Sequence, residues 1–138
     1  MTTNLEPDEL LVDARFPQPQ PWTGQAWVEM ARPHGDFALV GVAAVLTLRE
    51  DGICNAARLI YTGVAPVPFD ARESAQLLVG ENPNEDSVAE VAEHAAKASE
   101  PGSDVHASAG YRRHLVGVLT RRALGKALER VTGDEDGA

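Results

Sequence analysis

The sequence contains only one cysteine, Cys54, so no intrachain disulfide can form. Aromatic residues are also scarce, at 5% of a chain in which hydrophobic residues reach 43%. Valine, leucine and alanine must therefore fill most of the core. A chain of 138 residues is long enough for one domain with such a core. We interpret Cys54, beside a predicted turn, as a half-buried structural thiol rather than a nucleophile.

The sequence also lacks an excess of positive charge, because its formal net charge is −9. Proteins that bind nucleic acid or anionic membranes through nonspecific electrostatics need a basic face. The longest apolar run, Phe37–Leu46, is too short to span a bilayer. Residues Met1–Glu9 are polar and acidic and have no apolar signal-peptide core. We expect a cytoplasmic protein that binds neither nucleic acid nor membranes.

Residues that could carry chemistry do not form a recognisable motif. No two of the four histidines are four residues apart, and no Cys/His cluster has metal-ligand spacing. No G-x-G-x-x-G phosphate loop follows a predicted strand. We interpret His94, with Glu90 and Glu93, as part of a solvated helix face. His34 and Asp36 leave a hydrolase as a distant alternative, although Asp36 is better suited to cap a turn. We expect no catalytic residue and no metal ligand.

The first part of the chain is expected to be mostly extended. Residues 1–9 are predicted to be a linker, and the domain itself is expected to cover residues 10–132. Partial alternation of apolar and polar residues predicts a strand at Leu10–Phe16. Pro17–Pro21 cannot join a sheet, because three of its five residues lack an N–H group.

Three further segments favour an antiparallel sheet. Gln25–Arg32 carries apolar residues typical of a strand, and Asp36–Arg49 is a longer strand whose centre is apolar on both faces. We therefore expect the second of these to be a central strand covered on both sides. The Asp51-Gly52 pair predicts a hairpin turn, which brings Cys54–Gly63 back as its partner.

Helical patterns follow the strands. Polar residues suited to N-caps precede the apolar periodicity: Asp70 with Glu73, Asn84 or Asp86, and Ser108. The helices are expected at Ala71–Val79, from Asn84 or Asp86 to about Ser99, and at Ala109–Val131. Strands followed by helices indicate an α+β fold, with the helices on one face or end of the sheet. Residues 133–138 are predicted to be a disordered acidic tail.

The last predicted helix is basic, although the chain as a whole is acidic. It holds six of the 12 lysines and arginines: Arg112, Arg113, Arg121, Arg122, Lys126 and Arg130. One interpretation is a solvated helix face. The other is a docking surface for an acidic partner or a cofactor phosphate, for which we single out Arg112, Arg113, Arg121 and Arg122. Arginine pairs such as Arg112 and Arg113 suit bidentate contacts to carboxylates.

Three parts of the sequence, taken in order and spacing, resemble one protein family. They are Leu5–Leu11 with Arg15–Pro17, Gly35–Ala44 with Arg58 and Gly63–Pro68, and Asp104–Arg113 with Leu119–Leu124. Together they are similar to the C-terminal domain of the FAD-binding medium subunit of molybdenum hydroxylases, the group of aerobic carbon monoxide dehydrogenase and xanthine dehydrogenase. The resemblance runs from about Leu5 to Val131.

The resemblance implies a fold and a setting. The fold would be a three-stranded antiparallel sheet followed by a three-helix bundle. The domain would follow an FAD-binding domain, cover part of the flavin site and dock against a molybdenum subunit and an iron–sulfur subunit. FAD would belong to the parent subunit, and none is expected to bind tightly to this chain alone. A homo-oligomer is also compatible with the family.

Two positions of the chain bear on contact with flavin: one matches the family pattern and the other departs from it. Leu10 matches a family residue that packs near the flavin. Family members commonly carry a lysine close to the position of Trp27-Val28-Glu29, whereas this chain has the acidic Glu29 there. Met1 lies almost at the join with the flavin domain. A stand-alone interaction module that kept the fold without flavin therefore remains the alternative function.

Overall fold

A computed structural model describes residues 5–32 and 37–132 of the chain. It confirms an α+β fold in which one antiparallel sheet, ordered β1-β2-β3-β4, is followed by helices. The strands and helices are β1 (Thr23–Met30), β2 (Val40–Leu48), β3 (Cys54–Thr62), β4 (Phe69–Asp70), α1 (Arg72–Gln76), α2 (Glu85–Ala98) and α3 (Ala109–Thr132). The predicted tail at 133–138 and the predicted start of the long strand at Asp36 lie outside the described residues.

The sheet has four strands rather than the expected three. After β3 the chain turns at Gly63, whose φ of +79° suits glycine. It returns as β4, in which Asp70 pairs with Ile60 and Phe69 with Tyr61. The prediction of Asp70 as a helix N-cap was wrong for the same reason. Its backbone belongs to the sheet, and its carboxylate binds arginines instead of helix N–H groups.

The hairpin between β2 and β3 is confirmed. Gly52 adopts a φ of +79° at the turn, and the N–H of Arg49 donates to the carbonyl of Ile53 at 2.8 Å. The register shifts next to Thr47, where a bulge separates it from the last pair, Leu48 with Cys54.

The predicted strand at Leu10–Phe16 was wrong. These residues are extended and exposed, and they join no ladder in the described part of the chain. Alternation of apolar and polar side chains favours a strand, but a strand also needs backbone hydrogen bonds to a neighbouring strand. The expected linker at Pro17–Pro21 is irregular and exposed in the structure.

The helices pack on one face of the sheet only. Val40, Val42, Ala44 and Leu46 point from β2 into the core and are at most 1% exposed. They meet α3, whose fully buried residues include Leu119, Ala123 and Ala127. Each fully buried leucine or valine side chain stabilises the fold by about 1.5–3 kcal/mol. The expectation that β2 is covered on both sides was wrong, because no described element packs on the opposite face.

The contact between β1 and α3 is unusually close at Gly24. A Cβ atom on this residue would overlap the carbonyl oxygen of Ala127 and lie 2.6 Å from Cγ2 of Val131. Only glycine lets the strand approach the helix backbone at this distance. The last turns of α3 therefore lie against the first residues of β1.

Two of the predicted helix caps are confirmed. Oδ1 of Asn84 accepts hydrogen bonds from the N–H groups of Asp86 and Ser87, at 2.9 and 3.0 Å. Oγ of Ser108 accepts from the N–H of Tyr111 at 3.2 Å, one turn into α3. Helix α1 is shorter than predicted, since only Arg72–Gln76 is α-helical. It contacts β3 and α2, while α2 and α3 pack against each other.

Candidate functional site

The N-terminal segment carries large apolar side chains without cover from the described residues. Leu10, Leu11, Val12 and Phe16 are each 70% exposed or more. Exposed apolar side chains so close together in sequence are typical of an interaction surface. Leu10, the residue expected near flavin, is 83% exposed. The structure thus leaves this segment available to a neighbouring domain.

The sheet face opposite the helices is a second open surface. Trp27 on β1 pairs with Ala43 on β2, and Ala43 in turn pairs with Ile60 on β3. The Trp27 ring leans over Gly41, where an added Cβ would come within 2.6 Å of two ring atoms. The face is therefore flat and apolar at its centre. We call it the outer sheet face.

Glu29 lies on the outer sheet face beside the tryptophan. The indole N–H of Trp27 donates to Oε2 of Glu29 at 3.2 Å. This bond fixes a carboxylate next to the half-exposed ring, at the position where the resemblance leads us to expect a lysine. The negative charge makes this part of the face unsuited to phosphate groups.

The edge of the same sheet carries a small ionic cluster. Oδ2 of Asp70 accepts from Arg58 at 3.3 Å and from Arg72 at 3.5 Å. Its Oδ1 is buried and has no hydrogen-bond partner within the described residues. Both arginines are well exposed, so the cluster contributes little to stability.

Arg112 and Arg113 are neighbours in sequence but differ in environment. Arg112 is 7% exposed, and its guanidinium donates to the carbonyls of Leu39 and Gly63 and to the carboxylate of Asp104. All these partners belong to the domain itself. Internal pairing is thus a third role for Arg112, beside the solvated face and the docking surface considered from the sequence. Arg113 is exposed.

The other cations of α3 have few partners. Arg130 donates to the backbone carbonyl of Gln25 on β1. For the remaining four, no hydrogen bond or ion pair is formed within residues 5–32 and 37–132; these are Arg113, Arg121, Arg122 and Lys126. The exposed surface of α3 thus carries several positive charges on a protein that is acidic overall.

The residues considered for chemistry do not converge. Cys54 is 1% exposed, its thiol donates to the carbonyl of Ala56, and burial raises its pKa. His94 forms a hydrogen bond of 2.9 Å between Nδ1 and Oγ of the buried Ser74 in α1, so its interpretation as part of a solvated helix face was wrong. Among the residues that the structure describes, no group of three or more His, Cys, Asp or Glu could hold a metal ion. His34, Gly35 and Asp36 lie outside them.

The described helices include none that is long and apolar enough to cross a membrane. The longest, α3, carries the charged residues discussed above.

These open faces suggest a domain that works beside others, and comparison with known proteins decides which kind. Residues 25–127 match the family described as "CO dehydrogenase flavoprotein C-terminal domain". The chain belongs to this family. The match covers all of β2, β3, α1 and α2 and most of β1 and α3. The resemblance inferred from the three sequence segments is confirmed.

Named relatives of this flavoprotein domain come from several bacteria. The chain is 35% identical to the carbon monoxide dehydrogenase medium chain of Afipia carboxidovorans, over 93% of this chain and 44% of the relative. It is 33% identical to the 6-hydroxypseudooxynicotine dehydrogenase complex subunit alpha of Paenarthrobacter nicotinovorans, over 93% of this chain and 43% of the relative. The chain thus spans less than half of the length of these relatives.

A solved structure shows the same fold. Carbon monoxide dehydrogenase from Hydrogenophaga pseudoflava, in a form that lacks the Mo-pyranopterin moiety of the molybdenum cofactor, superimposes with a TM-score of 0.76 at 30% identity. The alignment covers 80% of this chain and 38% of that one.

Proposed function

We propose that this domain is the C-terminal part of the flavoprotein subunit of a molybdenum hydroxylase-type oxidoreductase in the cytoplasm. It covers part of the FAD site and docks the molybdenum and iron–sulfur subunits, and it does not catalyse a reaction alone. The observation that carries the proposal is the match of residues 25–127 to a domain family named for its place in a flavoprotein. The exposed apolar and basic surfaces support a role beside other domains.

The described residues are better suited to apolar contact with FAD or its domain than to binding the pyrophosphate of FAD. Leu10 and its apolar neighbours present exposed hydrocarbon that can pack against a ring system or the domain holding it. A pyrophosphate needs converging N–H groups or cations, whereas Glu29 places a carboxylate beside Trp27. When bound in the subunit, FAD supplies electron transfer, and this chain contributes apolar contact and the exclusion of water.

The segment Leu10–Phe16 is the proposed join to the FAD-binding domain. Its strand-like sequence and its unpaired, exposed backbone suit addition to the edge of another sheet. Pairing there would satisfy its N–H and C=O groups and bury Leu10, Val12 and Phe16. The strand predicted from sequence would then form in the parent subunit.

Docking of the other subunits is assigned to the exposed arginines Arg113, Arg121 and Arg122. Their uncompensated charge would attract an acidic surface and steer its association. Arg112 enters this proposal only indirectly, because its bonds hold the start of α3 in place.

A chimera tests the flavin role. The part of the Afipia carboxidovorans medium chain that aligns with this chain is replaced by this chain, and FAD per polypeptide is measured by absorbance after gel filtration. We expect the chimera to retain more FAD than the relative with that part simply deleted. A variant with Leu10, Val12 and Phe16 changed to serine should fold but behave like the deletion. Micromolar binding of FAD by this chain alone would overturn the accessory role.

The alternative, a stand-alone interaction module, is favoured by one residue, Glu29. If flavin contact has been lost, changing Glu29→Lys in the chimera leaves its FAD content and flavin midpoint potential unchanged. If the contact exists, the added positive charge stabilises the anionic reduced flavin and raises the potential. Genes for a molybdenum subunit and an iron–sulfur subunit beside this gene would also favour the main proposal.

A further inference from the structure

Helices α2 and α3 leave an open apolar groove between them. It has a volume of about 420 Å³, and its floor is formed mainly by Val88, Ala89, Gly125 and Leu128. Arg121 stands on the α3 rim, and Glu85 lies with Asn84 at the start of α2. The groove is on the side of the helix pair away from the sheet, since α3 packs its buried residues on β1 and β2.

Gly125 leaves the α3 side of the groove without a side chain. It lies in the interior of α3, where glycine is less favourable to a helix than alanine. Its φ is not positive, and a Cβ atom added to it would meet nothing within 4 Å. Gly24 is needed for the approach of β1 to α3, but no contact among the described residues requires a glycine at position 125. The surface at Gly125 is therefore open to a partner from outside the domain.

Arg121 gives the groove a charge. It lies one helical turn before Gly125 on the same face of α3. It forms no hydrogen bond or ion pair with the residues that the structure describes, and it only helps to lower the pKa of Glu93, whose main partner is Lys97. A partner that fills the groove can therefore place a carboxylate against Arg121 without displacing an existing pair.

We propose that the α2–α3 groove receives an amphipathic helix of a partner protein, with apolar side chains over Gly125 and a carboxylate against Arg121. The proposal rests on the subunit-docking role above and specifies its site and chemistry. A second copy of this chain docked face to face through α3 is disfavoured. It would bring Arg121, Arg122 and Lys126 near their own duplicates, and like charges at an interface repel. Glu85 on the α2 rim repels acidic residues, so the acidic flank of the partner helix lies on the α3 side, near Arg121.

Binding of a synthetic helix to the purified chain tests the groove. The probe carries leucine at three- and four-residue spacing with glutamate along one flank only, and its counterpart carries lysine instead of glutamate. Fluorescence anisotropy should show that the acidic helix binds and that added salt weakens this binding. Gly125→Leu fills the groove and should weaken binding about tenfold or more. Arg121→Glu should do the same, and Arg121→Lys should retain most of the affinity.

Matched controls separate the groove from the rest of α3. Gly110→Leu adds the same side chain at another glycine with nothing within 4 Å, and Lys126→Glu reverses a charge elsewhere on α3. Both should bind nearly as the wild type does. Equal binding of the basic helix, or unchanged binding after Gly125→Leu, would overturn the inference. Retention of FAD by the chimera is read independently, so the proposed function can stand when this inference fails.

Discussion

Nη2 of Arg112 lies 2.7 Å from Oδ2 of Asp104, and this ion pair joins the first turn of α3 to the loop before it. The same guanidinium donates through Nη1 to the carbonyls of Leu39, before β2, and Gly63, after β3. One buried side chain thus holds three loops that are far apart in the sequence. Arg112 therefore has an internal role, whereas docking is proposed for its exposed neighbour Arg113.

The variant Arg112→Ala should be strongly destabilised. It leaves the carbonyls of Leu39 and Gly63 without the donor Arg112 and removes one of several donors from Asp104. Each buried acceptor left without a partner costs about 1–3 kcal/mol. Urea unfolding monitored by circular dichroism measures the change. The neighbouring Arg113→Ala is the control and should alter the free energy of unfolding by less than about 0.5 kcal/mol. Similar values for both variants would contradict the internal role of Arg112.

Stability should fall in acid partly through Asp104. Hydrogen bonds from the N–H of Ala107, from Arg112 and from the N–H of His106 lower the pKa of Asp104 from 3.8 to about 2. A carboxyl group with a lower pKa in the folded state stabilises the fold above pH 3.8, and this contribution is lost as the pH falls towards 2. Asp104→Asn should therefore show a smaller loss of unfolding free energy than the wild type between about pH 5 and about pH 3.

The variant must be compared with the wild type, because other carboxylates with a lowered pKa also make the fold less stable in acid. Arg49 lowers the pKa of Asp51, and Lys97 lowers that of Glu93. Identical acid profiles for wild type and Asp104→Asn would show that Asp104 does not contribute.

The buried hydroxyl of Tyr61 should make the stability of the fold depend on pH in the alkaline range. It lies 2.7 Å from Oγ1 of Thr120, which itself donates to the carbonyl of Val116. Burial raises the pKa of Tyr61 from 10.0 to about 12. Its contribution to stability is therefore complete below pH 10 and is lost as the pH rises towards 12. Tyr61→Phe should cost about 1 kcal/mol at neutral pH and should reduce this alkaline loss.

A double-mutant cycle with Thr120→Val checks the assignment. The coupling between the two substitutions should equal most of the effect of Tyr61→Phe, because the pair shares one hydrogen bond. Additive effects would mean that the hydroxyl has another partner.

Gly24→Ala should loosen the contact between β1 and α3. The new Cβ would overlap the backbone of Ala127, which cannot move without shifting the helix. Overpacking of this kind costs about 1–3 kcal/mol. Thermal unfolding measures it, and Gly102→Ala, where nothing lies within 4 Å, should leave the melting temperature almost unchanged. Equal melting temperatures for the two variants would disprove the close contact.

The regular parts of the fold could be predicted from the sequence, because local signals and tertiary packing agree there. A run of apolar β-forming residues predicted β2, and the Asp51-Gly52 turn predicted its partner β3. Asn84, one of two candidates with Asp86, and Ser108 predicted the starts of α2 and α3. The short strand β4 could not be predicted, since two residues carry no period. Asp70 has the residue type of a cap, but pairing with β3 and with arginines decided its role.

The candidate site was less predictable than the fold. Sequence could show that α3 is basic, but not that Arg112 is buried while Arg121 is exposed, because that depends on which face of the helix meets the sheet. Helical periodicity was the available signal, since Arg112 precedes the buried row Leu115-Leu119-Ala123 by three residues. The groove at Gly125 was hidden, because a glycine within a helical pattern does not reveal whether its surroundings are empty.

The hydrogen bond from Arg130 to Gln25 joins residues 105 positions apart, near the two ends of the domain. During synthesis β1 leaves the ribosome long before the helix that must cover it. The nascent domain therefore cannot acquire its native core until the final turns of α3 have emerged, and until then its sheet presents a bare apolar face. Emergence of α3 rather than strand pairing would then set when the domain becomes competent to join its neighbours.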